Sequence, residues 1–181
     1  MNPFAPRPVF IVDIIGDVVK AVEVALLAQL QTVDATITGI NYLYGPPLEI
    51  YNTLAQMSGS LQYAKYPLVA LYQPFDENQG TVTGIDSTTP LRIIIARASN
   101  ATDKAKDRYD KNFRPILYPI YSELLYQLGI ERRIAVATWQ EIKRKKRDWP
   151  YWDNDGKNPL IDYVDIIEIS GLELNFRLKN C

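Results

Sequence analysis

Histidine is absent from this 181-residue chain. Ser-His-Asp and Cys-His catalysis, histidine general bases and imidazole metal sites are therefore excluded. Cysteine occurs once, as Cys181, so neither an intrachain disulfide nor a thiolate zinc site can form. A catalytic thiol is not expected at that last residue. The glycine spacings that cradle phosphates are missing, and so is the G-x-S-x-G turn that presents a nucleophilic serine. Asp165 and Glu168 stand three apart in a segment that reads as a strand, so they should point to opposite faces. That separates the two carboxylates needed for a paired acid and base. The segment Asp153-Asn154-Asp155-Gly156 has the texture of a calcium loop. Aligned on its glycine, however, it puts Tyr151 where the first ligand must be and Asp162 at the last. A hairpin turn is the simpler expectation. No catalytic residue, cofactor or metal is expected.

What is present is a core-forming composition. Hydrophobic residues are 47% and charged residues 23%, as in a globular domain. At this length roughly 70% of the unfolded surface can be buried, and one domain over 1–181 is expected. The formal net charge is −1. It hides an asymmetry: without Lys143, Arg144, Lys145, Lys146 and Arg147, 15 cations face 21 acids, a balance of −6. The basic run is a local device in an acidic body.

Residues 9–30, VFIVDIIGDVVKAVEVALLAQL, are oily enough to suggest a membrane span. Asp13, Asp17, Lys20 and Glu23 argue against it, at ~2.5–3.5 kcal/mol each for Asp and Lys at mid-bilayer, and the stretch makes a poor signal peptide. It reads as a soluble helix with one narrow polar stripe. Its broad apolar remainder, with Ile11, Ile14, Ile15, Val18, Val22 and Leu26, must be covered either by the chain's own core or by a neighbouring subunit.

Further strands are predicted over 35–44, over 65–75, within 80–99 (strongest at LRIIIARA) and over 132–142, the last leading straight into the basic run. A short helix should open at Pro47 and close at Ser58-Gly59. The clearest helix is 101–129, with Thr102 as N-cap, Gly129 just past its end, and Phe113, Ile116, Leu117, Ile120, Leu124 and Leu128 on one face. Pro115 and Pro119 inside it predict a kink or break near 114. VDIIEI and LELNFRL read as strands separated by a bulge or turn at Ser170-Gly171. In the second, Leu172, Leu174 and Phe176 alternate with polar residues and offer an edge that a neighbour could continue. The pattern predicts an α+β fold: a mixed or mainly antiparallel sheet, with the long helix and the N-terminal helix packed on one face.

The stretch KRKKRDWPYW, 143–152, is the one concentrated feature. Extended, it would put charge on both faces, so it is expected to project as an arm or hairpin at about 140–158. Trp149, Tyr151 and Trp152 beyond the cations suit an interface. Three uses fit: phosphate contact with stacking aromatics, a nuclear localisation signal, or docking on an acidic protein. The bland alternative is a solvated charged loop.

YPLVALYQPFDE, LRIIIARAS, RYDKNFRPILYPIYSELLYQL, DWPYW and NPLIDYVDIIEISGLELNF together resemble the small neck and tail-joining proteins of tailed bacteriophages. These are tail-terminator-like and head–tail connector ring proteins, including those of crAss-like phages of Bacteroides. The resemblance covers roughly 60–178 and lies in texture and element order. It implies a tail-terminator-like fold and a non-enzymatic virion protein, assembled in the bacterial host cytoplasm. It implies a homo-oligomeric ring, often of six or twelve copies, that touches other neck or tail proteins while DNA passes through. No membrane contact is implied. A channel that releases DNA should not hold it, so the five cations are expected to meet protein, with nucleic-acid binding through 143–152 as the alternative.

Overall fold

The computed structural model describes residues 10–57, 65–73, 75, 78–79, 85–86, 91–100, 102–136, 143–149 and 164–176. Helix α1 spans Ile11–Val33. Ile11, Ile14, Ile15, Val18, Val19, Val22, Leu26 and Leu30 recur at helical spacing and are all buried. Asp13, Asp17 and Lys20 form its wet face. It ends at Asp34, whose N–H bonds to the Leu30 carbonyl at 2.9 Å while its side chain accepts from the Thr36 N–H. That local turn takes up the start of the predicted 35–44 strand, so β1 covers only Asn41–Gly45.

Helix α2, Pro47–Gln56, starts with its proline in the first turn, where the missing N–H costs nothing. Its predicted close at Ser58-Gly59 lies outside the described residues. The helix carries the chain across to β2, Leu68–Tyr72, which runs parallel to β1. Two-residue strands β3 (Asn78–Gln79) and β4 (Ile85–Asp86) precede the apolar β5, Leu91–Ala98.

The long helix is continuous over three segments: α3 (Ala105–Arg108), a π-helical stretch (Tyr109–Leu117) and α4 (Tyr118–Ile130). The six residues predicted for its inner face are all buried. Three expectations are corrected. Thr102 does not cap the helix; it begins after Lys104, whose N–H bonds to the Asp107 carboxylate at 3.2 Å. Gly129 lies inside the helix, which stops at Glu131. The helix does not break near 114. Pro115 is carried within the π-helical stretch, where Tyr118 N–H bonds five residues back to Phe113. A wider turn gives the pyrrolidine ring and the preceding carbonyl the room an α-turn denies them.

Strands β6 (Ile134–Val136), β7 (Lys143–Trp149), β8 (Val164–Leu172) and β9 (Leu174–Phe176) follow. Of the predicted 132–142 strand, β6 covers Ile134–Val136 and 137–142 lie outside the described residues; β6 and β7 pair in different sheets. One sheet has the order β1-β2-β5-β8-β7, parallel only at β1–β2; the other has β3-β4-β9-β6. Ser170-Gly171 is a bulge inside β8 rather than a turn: the register against β5 shifts there, and Gly171 has φ 77°. Beyond it the chain passes into the second sheet.

The fold is α+β with a mixed sheet. Helices α1 and α4 and the π segment pack on the face bearing Val69, Leu71, Ile93, Ile95, Ile167 and Ile169. The short α2 takes the opposite face, where Ile50 and Leu54 meet Leu68, Ala70, Ile94 and Ile166. Helices therefore cover both faces, because a crossover between parallel strands lays its helix on the sheet.

Candidate functional site

The basic run builds strand β7, and this corrects the expected projection of its first half. Over 143–149 the backbone pairs with β8 at every position, from Lys143 opposite Ser170 to Trp149 opposite Val164. The expectation failed because it required charge-free faces. An edge strand needs no such thing, since long cationic side chains can reach water from its margin and lysines commonly protect sheet edges. Among the described residues β7 is the outermost strand of its sheet. Tyr151, Trp152 and the rest of 150–158 lie outside the described residues, as do Asp153, Asp155 and Asp162.

Strand β8, paired beside β7 in the same sheet, holds two buried carboxylates. They face opposite ways, as their spacing predicts. Glu168 lies on the α2 side, 2.9 Å from Arg92 Nε, and the Arg92 guanidinium sits 5.1 Å from the centre of the Tyr72 ring. Lys145 of β7 occupies the register position opposite Glu168. Asp165 lies on the long-helix side, fully buried. Arg108 Nη2 is 2.6 Å from its Oδ1, and Asn112 Nδ2 donates to its Oδ2 at 2.6 Å and to the Ala98 carbonyl at 3.2 Å. Burial raises the Asp165 pKa, against the opposing pull of Asn112 and Arg108. Asn112 and Arg108 belong to the π segment and to α3, so this cluster ties the long helix to β8. Nothing in the local sequence marks it, because Asp165 lies more than fifty positions from Arg108 and Asn112.

Two open clefts flank the helices. One, of about 500 Å³, lies between α1 and the turn after α4. There Arg133 donates to Asp17 at 2.7 Å and to both oxygens of Glu131 at 2.9 and 3.0 Å. The second, of about 440 Å³, lies beside the start of the long helix. In it Arg97 pairs with Asp34, and Lys111 with Asp103 at 2.8 Å. Arg97, Lys111 and Arg133 are thus committed to the chain's own carboxylates. Among the described residues no group of three or more His, Cys, Asp or Glu could hold a metal ion. Likewise, no helix among them is long and apolar enough to cross a membrane.

The residues considered for a subunit interface fall elsewhere. Ile11, Ile14, Ile15, Val18, Val22, Leu26, Leu172 and Leu174 are covered by the chain itself. These eight side chains therefore belong to the chain's own core, while α1 also exposes Val24 and Val33. The side chain of Phe176 lies outside the described residues. Among the described residues no strand pairs with the outer side of β1 or of the cationic β7, the two margins of the first sheet. No known family model matches the chain, and no curated protein matches its sequence.

Proposed function

We propose that this chain is a non-enzymatic structural protein of the neck or tail of a tailed bacteriophage. In this role it builds a closed ring of like subunits, six or twelve, around the channel that DNA traverses, and meets other virion proteins above and below. The observation that carries the proposal is the five-stranded sheet whose two margins, among the described residues, are unlike unpaired edges, one of them a strand with five consecutive cations. Rings close through head-to-tail contacts between different surfaces of one protein, and unlike margins provide such surfaces. The resemblance over roughly 60–178 supports the same role. The buried residues of α1 are taken up by the core, and the sheet margins are the surfaces this reading assigns to the ring contact.

Native mass spectrometry tests this. A closed assembly of six or twelve copies is expected, alone or with neck proteins. A chain that stays monomeric in both settings rejects the proposal. Nucleic-acid binding is the second reading, favoured by the length of the cationic run on β7; a strand of this kind can track phosphates without reading sequence.

A further inference from the structure

The two margins of the first sheet differ in charge as well as position. No Lys or Arg occurs anywhere from residue 21 to residue 64, the stretch that contains β1 and α2. Acids gather instead at the β1 margin. The Tyr42 hydroxyl donates to the Val12 carbonyl at 3.0 Å, which sets the first turn of α1, with its exposed Asp13, beside β1. At the other end of the strand, exposed Glu49 packs so closely that a Cβ on Gly45 would lie 3.3 Å from its carboxylate oxygen. Between them Tyr44 and Leu48 are 54% and 66% exposed. This margin is acidic and apolar; the β7 margin carries five cations and ends in Trp149.

We infer that β7 of one copy docks along β1 of the next, continuing the five-stranded sheet from subunit to subunit. The inference rests on the ring reading and names the contact that would make the ring. Main-chain hydrogen bonds would supply affinity, as in strand addition generally. Charge selects the pairing. Two β7 strands would bring like charges face to face, which is destabilising, whereas β7 against the acidic β1 margin is complementary. The cations thus forbid one edge pairing and favour another. The contact is heterologous, so it propagates in one direction and closes when the rotation per copy permits.

Cross-linking tests it on the full chain in a Cys181→Ser background. One population carries Tyr44→Cys; the other carries a single cysteine at each of positions 143–147 in turn. Oxidation of the mixture is expected to join the two populations at one or more of these positions. Asp13→Lys with Glu49→Lys is expected to raise the concentration for half-assembly by about tenfold or more. Mixing that variant with copies bearing Lys143→Glu and Arg144→Glu should restore pairing, while circular dichroism verifies that each variant is folded. A closed assembly with no mixed cross-link overturns the β1–β7 contact and leaves the ring reading standing. Cross-links between two β7 positions overturn it as well. A strictly monomeric chain overturns both.

Discussion

Asp165 is buried between one guanidinium and one amide, and the balance among the three sets its charge. Burial is the largest influence and raises its pKa from the usual aspartate value. A raised folded-state pKa means that protonation favours the fold. This contribution is complete below the unfolded value near 3.8 and is lost as pH rises through the raised value. In its ionised form the carboxylate then depends on Asn112 and Arg108. Arg108→Met should therefore cost about 3 kcal/mol at pH 7, because it strands a buried charge. The deficit should shrink at pH 4, where the carboxyl can protonate. Urea denaturation at the two pH values checks this, and a deficit unchanged with pH would mean that the cation acts only through packing. The opposite orientations of Asp165 and Glu168 were legible in their spacing. Their partners were not, because Asn112 lies 53 positions from Asp165 and nothing local encodes that meeting.

At the scale of elements, legibility followed locality. Helix α1 and the inner face of the long helix could be read because each repeats its apolar residues at the helical period, and β5 because it is a short β-branched apolar run. Strand allegiance could not. β6 and β7 lie close in sequence yet enter different sheets, and only long-range pairing decides that. The prolines of the long helix predicted disruption at the right place and of the wrong kind, since a π-helical stretch absorbs Pro115 without a break. Ser170-Gly171 was readable as punctuation, and its positive φ explains the glycine. Gly171→Ala should lose about 1–2 kcal/mol, the cost of a left-handed backbone for an L-residue. Gly171→Asn should lose less, because asparagine tolerates that region better. Denaturant midpoints for the pair test it; equal losses would point to crowding rather than backbone strain.

For the molecule as a whole, the arrangement of charge matters more than its sum. A net charge of −1 joins a body of −6 to a strand of five cations. The sequence made this division plain, but it did not say that the cations lie in a sheet. Replacing all five with Ser or Gln is expected to impair assembly and to leave duplex DNA binding weak in both proteins. If the cations instead face DNA, the unmodified protein should bind duplex with an affinity that falls by up to about 0.9 log units per log salt for each phosphate met. Fluorescence anisotropy across a salt series distinguishes the two. Loss of DNA binding with assembly intact would make nucleic acid the partner.

Strand β8 lies between β5 and β7, and β9 lies between β4 and β6. Both sheets are therefore completed by interior strands synthesised after the strands on either side. During translation β6 and β7 emerge before the strands they must pair with, and β4 and β5 wait longer still. Neither sheet can be completed as the chain grows; both become possible together, once residues 164–176 are free to insert. Until then the apolar β5 lacks one of its two neighbours. Of the strands waiting beside that gap, β7 is the most heavily charged, and that charge opposes premature association between unfinished chains.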